Sequence, residues 1–199
     1  YTYGLNGYTL SEGKEYLVDL IDKDRICKDI EQARTKADFV IVFPHWGIEY
    51  QYKPNAEQQE LAQLMADAGA DVIIGTHPHV LESVEWLKGK NGNKTLCYYS
   101  LGNYISGQLE TDTLLGGMAR LTLVKEGDKT SIKDACLVPL VTHYVWKTND
   151  YRVTTYKLSA YTEDLAAVHS VLGYDSTFSI AELNRLTKEI VGDKWLSEN

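Results

Sequence analysis

The first half of the chain alternates helical patterns with short runs dominated by apolar residues. Apolar residues three and four positions apart predict an amphipathic helix over 24–37. A second helix is predicted over 55–68, where Asn55 and Gln58 have the spacing of a capping box. The runs 39–43 and 71–75 are rich in β-branched residues, which is typical of strands covered on both faces. This helix–strand–helix–strand order predicts an α/β fold with a parallel strand pair.

The second half of the chain has patterns of a different kind, dominated by strands. Asn91-Gly92 favours a type I′ turn, so a β-hairpin is predicted around it. The later segments alternate apolar and polar residues or are β-branched, and two amphipathic helices follow them. The predicted strands are 84–88, 95–101, 118–125, 132–139 and 151–158, and the predicted helices are 161–172 and 179–195. We expect the last helix to be the most detachable element.

Composition and charge argue against nucleic-acid binding and against a membrane span in this segment. The chain has 199 residues and a net charge of -8, and an acidic chain lacks the basic footprint of a nucleic-acid-binding protein. No apolar run approaches the roughly 18 residues that a membrane span needs, so this segment is not expected to be membrane-embedded. Cys27, Cys97 and Cys136 form no CxxC pair and are interpreted as small buried hydrophobic residues.

Three of the five histidines follow the two predicted apolar strands directly. His45 comes after 39–43, and His77 and His79 come after 71–75. The carboxyl ends of the strands in an open α/β sheet form the usual site of its chemistry. Pro78 is expected to stiffen the His-Pro-His segment as an extended fork whose two rings project to the same side. Imidazole suits Zn, Fe and related metals, so the sequence predicts a metal site at this edge.

Four motifs then carry a resemblance to a known family. They are HWG-x-EY at 45–50, P-x-x-x-Q at 54–58, ADVIIG-x-HPHV at 70–80 and SLGN at 100–103. In this order they resemble the CapA family of poly-γ-glutamate (capsule) biosynthesis proteins, which is related to the calcineurin-like metallophosphoesterases. The resemblance implies that this α/β chain is part of a calcineurin-like αββα sandwich, with additional antiparallel strands and C-terminal helices.

The resemblance also implies a set of functional residues. His45, His77 and His79 would be metal ligands, and with Asn103 they would form the catalytic group. Glu49 would contact a metal ligand without binding the metal itself. The metals implied are divalent ions of Mn, Fe or Zn, two of them in the intact parent protein, where paired metals clamp a phosphate and activate water. No separate organic cofactor is expected.

The early Gly-Asp motif, glutamate and Asn-His pair of the family pattern have no match in this chain. The chain begins at Tyr1 rather than at a methionine, so we expect it to be the C-terminal portion of the family's protein. Residues 1–140 are then interpreted as the C-terminal part of the metallophosphoesterase-like domain and 141–199 as a strand and helical extension. Because the carboxylate that bridges two metals is missing, we expect the fragment by itself to be inactive.

Two functions compete at this point. The first is metal-dependent hydrolysis of a phosphoester by the intact parent during capsule synthesis. The second is a non-enzymatic role, in which the protein binds or tethers an anionic capsule polymer during synthesis or export. The expected partners are an anionic polymer or phosphoester substrate, with the missing N-terminal half or a second copy covering the apolar run 39–43. By the same resemblance the parent is expected at the bacterial cell surface, or anchored to the membrane outside the cytoplasm.

Overall fold

A computed structural model describes residues 1–147 and 150–197 of the chain. The described residues form a mixed α/β structure with two sheets, which confirms the predicted fold class. The helices are α1 (Lys23–Arg34), α2 (Ala56–Ala68), α3 (Glu163–Ala167) and α4 (Ile180–Val191). The strands are β1 (Ile41–Val42), β2 (Val72–Ile74), β3 (Val84–Lys88), β4 (Lys94–Tyr98), β5 (Leu115–Glu126), β6 (Lys129–Lys147) and β7 (Asp150–Lys157).

The first sheet has four strands in the order β1-β2-β4-β3. β1 pairs with β2 in parallel, which confirms the predicted parallel pair, and β2 pairs with β4 in parallel as well. β3 is antiparallel to β4 and closes the far edge. Since β1 and β2 point in the same direction, the segments that follow them emerge at the same edge of the sheet.

The two faces of this sheet are covered by different partners. Side chains alternate along a strand, so Val72 and Ile74 face one side while Ile73 faces the other. Ile73 packs with buried residues of α1 and α2, including Ile26 and Met65. Val72 and Ile74 belong to a second cluster, which takes in the three-stranded sheet and the C-terminal helices. The four-stranded sheet is therefore the central layer of the structure.

The run 39–43 is less completely covered than its composition predicts. Only Ile41 and Val42 pair in the sheet, and they lie on an edge strand. Val40 and Val42 are buried, but Ile41 is 40% exposed and Phe43 is 58% exposed. The described residues therefore do not cover this run on both faces, and cover by the missing N-terminal half or by a second copy stays a prediction.

The C-terminal tail is an integral part of the core, so its description as the most detachable element is wrong. Leu183, Val191 and Trp195 are buried in the larger hydrophobic cluster. Leu196 pairs with Leu137 of β6, and the Ser197 N–H donates to the Leu137 carbonyl at 3.1 Å. The amphipathic pattern of α4 identified the apolar face correctly, but only the fold supplied the sheet that this face packs against.

Local predictions had mixed outcomes. The capping box is confirmed, since the Asn55 and Gln58 side chains each accept a hydrogen bond from the other residue's backbone N–H. The hairpin of β3 and β4 is also confirmed, but Asn91 lacks the positive φ that a type I′ turn requires. The connection is five residues long, and Gly92 alone takes the left-handed conformation. The predicted helix 161–172 is reduced to α3 and a 3-10 turn at Ser170–Gly173.

Two broader expectations concern the chain as a whole. Among the described residues, no helix is both long enough and apolar enough to cross a bilayer. β6 runs continuously from Lys129 to Lys147, across the division that was placed at residue 140. The division into two parts stays a prediction.

Candidate metal centre

The candidate site lies where the chain leaves β1 and β2 at the carboxyl edge of the central sheet. Just beyond the two strands His45 forms a bridge with Thr76, so the two loops run side by side. Gly75 permits this approach, because a Cβ at its position would lie 2.4 Å from Nε1 of Trp46 in the loop after β1 and 1.9 Å from the carbonyl oxygen of Tyr99 after β4. The loops that carry the three histidines are therefore held together by backbone contacts.

Glu49, His77 and His79 form the most compact group of candidate ligands in the described part of the chain. Each offers a ligand atom, and these atoms all lie within 4.8 Å of one another. The Nε2 atom of His79 is 3.7 Å from Oε1 of Glu49. Ligand atoms about 2.0–2.2 Å from one ion are spaced roughly 3–4 Å apart, so small side-chain rotations would fit this set to a metal. Two histidines and one glutamate are a known ligand set of catalytic zinc sites.

His45 lies beside this group rather than inside it. Its ring centroid is 4.7 Å from that of His77, and the His77 and His79 centroids are 6.0 Å apart. The structure thus brings the three predicted histidines together, and it brings Glu49 closer to His77 and His79 than the sequence suggested. The roles of His45, His77, His79 and Asn103 stay predictions.

The backbone of the site is strained. Four described non-glycine residues have positive φ, and three of them are His77 (106°), His79 (61°) and Tyr50 (64°). The extended His-Pro-His fork is therefore wrong, because both histidines have positive φ, and His77 does so against the preference that Pro78 sets for the residue before it. The Tyr50 N–H donates to the Pro78 carbonyl at 2.8 Å and ties the two loops together. Strain of about 1–3 kcal/mol per residue persists only where the surroundings enforce it, and it is concentrated at functional sites.

Asn103 fixes the protonation pattern of His79. The Asn103 amide nitrogen donates to the carbonyls of His79 and Thr113 and to the side chain of Gln108. Its amide oxygen therefore faces the Nδ1 atom of His79 at 2.9 Å and accepts the Nδ1–H hydrogen. This tautomer leaves the lone pair of His79 Nε2 on the side of Glu49, which is the arrangement of a metal-binding histidine.

The remaining electrostatics favour neutral imidazoles. Burial lowers the pKa of His77 below its ordinary value, and the neighbouring His45 adds to the effect while Glu49 opposes it. Burial also lowers the pKa of His45, and the electrostatic effect of the nearby His79 lowers it further. Neutral imidazole is the form that binds a metal. The surroundings of His45 and His77 therefore favour the form of the imidazole that binds a cation.

Two tyrosines of the site were missed by sequence reasoning. The ring of Tyr3 lies 4.4 Å from that of His77 and also stacks on His45, and no local pattern around residue 3 signals this contact. Tyr50 stacks on His79 at 5.9 Å, and its position directly after Glu49 was the available clue. The hydroxyl of Tyr50 accepts a hydrogen bond from Gln108, which in turn contacts Asn103.

The other two histidines serve the core. His169 is buried and uses both ring nitrogens, since Nδ1 accepts from the Val171 N–H and Nε2 donates to the Thr142 carbonyl. Burial lowers its pKa to about 4. His143 is buried beside it and bonds to the hydroxyl of Tyr161 at 2.7 Å. These contacts give both histidines a structural role in the core.

Comparison with known proteins identifies the family. The sequence model of the bacterial capsule synthesis protein family PGA_cap matches residues 4–108, more than half of the chain. The chain belongs to this family. The matched region contains β1 to β4 and every residue of the candidate metal centre except Tyr3. The family therefore includes the sheet edge and the loops that form the site.

Curated relatives in the same family are longer than this chain. The PGA biosynthesis protein CapA of Bacillus subtilis (strain 168) is 35% identical over 147 residues, which cover 63% of this chain and 37% of the relative. The capsule biosynthesis protein CapA of Bacillus anthracis is 40% identical over 124 residues, which cover 60% of this chain and 28% of the relative. The chain thus matches about a third of the length of these relatives.

Removing the partner of His79 should weaken metal binding. We expect an Asn103→Ala variant to bind Zn²⁺ about 10–100-fold more weakly, because the ring of His79 loses its fixed tautomer and orientation. Isothermal titration with Zn²⁺ measures the change. Ser106→Ala is the control, since Ser106 contacts Gln108 in the same loop without touching a histidine. Equal affinities of the Asn103 variant and the unchanged chain would contradict this interpretation of the hydrogen bond.

Proposed function

We propose that this member of the capsule synthesis family carries the histidine part of a divalent-metal site for hydrolysis of a phosphoester. The observation that carries the proposal is the convergence of Glu49, His77 and His79 at the carboxyl edge of the sheet, with ligand atoms within 4.8 Å. The tautomer that Asn103 imposes on His79 supports it. A divalent ion at such a site acts as a Lewis acid and lowers the pKa of a bound water.

The residues of the chain have separate tasks in this proposal. Glu49, His77 and His79 hold the ion, and Asn103 keeps Nε2 of His79 directed at it. His45 lies beside His77 with its own Nδ1 3.3 Å from the Thr76 hydroxyl, so its Nε2 is available to a second ion or to the substrate. Glu49 is the only carboxylate in the described cluster, and a second ion would need further ligands from the rest of the longer protein.

We infer the biological process from the names of the two relatives. Both Bacillus relatives are named for capsule or PGA biosynthesis, and we assign the parent of this chain to the same process. The expected setting is the bacterial cell surface. The substrate would then be a phosphoester formed or consumed during synthesis of an anionic capsule polymer.

The full-length parent protein provides the test. We expect it to bind one or two equivalents of Zn²⁺ or Mn²⁺ and to hydrolyse bis(p-nitrophenyl) phosphate only when metal is present. Treatment with EDTA should abolish turnover, and added metal should restore it. The chain 1–199 alone should bind Zn²⁺ but turn over little substrate. A metal-loaded parent without phosphoesterase activity would overturn the hydrolytic role and favour binding of the anionic polymer instead.

A further inference from the structure

Glu82 is a buried acid that none of the proposed metal chemistry uses. It follows His79 by three residues, and its side chain is 0% exposed. One carboxylate oxygen, Oε2, accepts a hydrogen bond of 2.6 Å from Nε2 of Gln58, while Oε1 has no partner. Burial raises its pKa from 4.5 to about 7. A carboxyl group kept in the core at this cost requires an explanation other than packing.

The partner of Glu82 is itself held in one orientation. Gln58 is the third residue of the capping box of α2, where its Oε1 accepts the backbone N–H of Asn55 at 2.9 Å. With the amide oxygen facing Asn55, the amide nitrogen must face Glu82. Gln58 is buried as well, so its amide plane is fixed from both sides.

The amide of Gln58 supports the loop that carries the site. A Cβ at Gly47 would lie 2.7 Å from Cδ of Gln58, so the backbone of Gly47 lies directly on this amide. Gly47 has φ of 87°, which a residue with a side chain rarely adopts. It stands midway between His45 and Glu49 in the sequence. The position of Gln58 therefore decides where both residues emerge from the loop.

We propose that Glu82 is a positioning residue, which acts through Gln58 to hold the loop 44–49 where Glu49 can share a cation with His77 and His79. This inference rests on the proposed metal centre. Trp46 anchors the same loop from another side, because its indole N–H donates to the Tyr99 carbonyl at 2.9 Å. Glu82 and Gln58 thus supply a further fixed point, and they link the segment after His79 to the segment before Glu49.

Two substitutions at residue 82 distinguish the hydrogen bond to Gln58 from the negative charge of the Glu82 carboxylate. Glu82→Gln retains an oxygen that accepts from Gln58, and we expect its affinity for Zn²⁺ to stay within about twofold of the unchanged chain. Glu82→Leu removes the acceptor, and we expect Zn²⁺ to bind about tenfold more weakly. Gln58→Leu should produce a similar loss, and the double variant should lose no more than the single ones, as expected for residues that act as one unit.

A buried polar control distinguishes positioning from a general loss of stability. Thr95→Val removes the hydrogen bond from the Thr95 hydroxyl to the Ala70 carbonyl, in the same sheet but away from the loop. It should lower the melting temperature without changing the affinity for Zn²⁺. If Glu82→Leu does not fold, the comparison of Gln58→Leu with Thr95→Val tests the same contact.

The outcomes are distinct. Zn²⁺ affinity that is unchanged in Glu82→Leu and Gln58→Leu, or that falls only in proportion to stability as in Thr95→Val, overturns the positioning role while leaving the metal centre in place. Failure of the unchanged chain to bind Zn²⁺ overturns the metal centre, and the positioning role with it. A tenfold loss rescued by Glu82→Gln supports the inference.

Discussion

A His77→Gly variant is expected to lose at least about 100-fold in affinity for Zn²⁺ while the metal-free chain unfolds at the same temperature or a higher one. Affinity falls because one of three ligands is removed, and loss of a ligand's hydrogen-bond partner alone costs about 10–100-fold. Stability is retained because φ of 106° at His77 is strained for histidine and accessible to glycine. Titration calorimetry and thermal unfolding of the metal-free chain measure the two quantities.

A loss of Zn²⁺ affinity without a loss of stability is the result expected of a functional residue rather than of a structural one. His77→Ala is the companion variant, since it also removes the ligand but keeps a Cβ at the strained φ. It should bind Zn²⁺ as weakly as the glycine variant and be less stable than it. Glu49→Gln should also weaken binding, whereas Glu57→Gln, an exposed carboxylate in the first turn of α2, should not. Retained affinity in His77→Gly would remove His77 from the site.

The second large effect is a dependence of stability on pH that Glu82 imposes. Its pKa is about 7 in the folded chain and about 4.5 in the unfolded chain. Between these values the folded state holds a proton that the unfolded state has released, so the free energy of unfolding falls as pH rises. The loss begins near pH 4.5, is complete above about pH 7, and amounts to roughly 3 kcal/mol.

Comparison with Glu82→Gln isolates this contribution. The amide does not titrate, so the difference in unfolding free energy between variant and unchanged chain should move by roughly 3 kcal/mol in favour of the variant from pH 4.5 to pH 8. Urea unfolding at the two pH values measures it. His169, whose pKa is lowered to about 4, has the opposite pH dependence, but it titrates in both proteins and cancels. A difference that is constant with pH would show that Glu82 is not protonated in the folded chain.

The exposed edge of the central sheet could affect both the Zn²⁺ affinity and the stability measured in these experiments. Ile41 of β1 and Phe43, which follows this strand, remain exposed next to the loop that carries His45. An apolar edge of this kind favours pairing with another strand or chain. The expected cover by the N-terminal half or by a second copy stays a prediction, and measurements on the longer parent will include any contribution that such cover makes to the site.

The sequence by itself predicted most of the local elements and the three histidines that meet at the edge of the sheet. Apolar spacing located α1 and α2, and the Asn55–Gln58 spacing identified the capping box because such signals depend on neighbours within one or two turns. The position of His45, His77 and His79 after two apolar runs was enough to predict a shared sheet edge, since consecutive parallel strands end on the same side.

Only the tertiary structure decided how these residues meet. Glu49 joins His77 and His79 because the Pro78 carbonyl holds Tyr50 across the two loops, a contact between residues far apart in sequence. Positive φ at His77 overrode the local preference set by Pro78, because long-range contacts outweigh the small energy of one backbone preference. The pairing of Glu82 with Gln58 and the burial of Trp195 against the core have the same origin. Apolar patterns indicate which side chains will be buried, whereas only the fold determines which of them pack against each other.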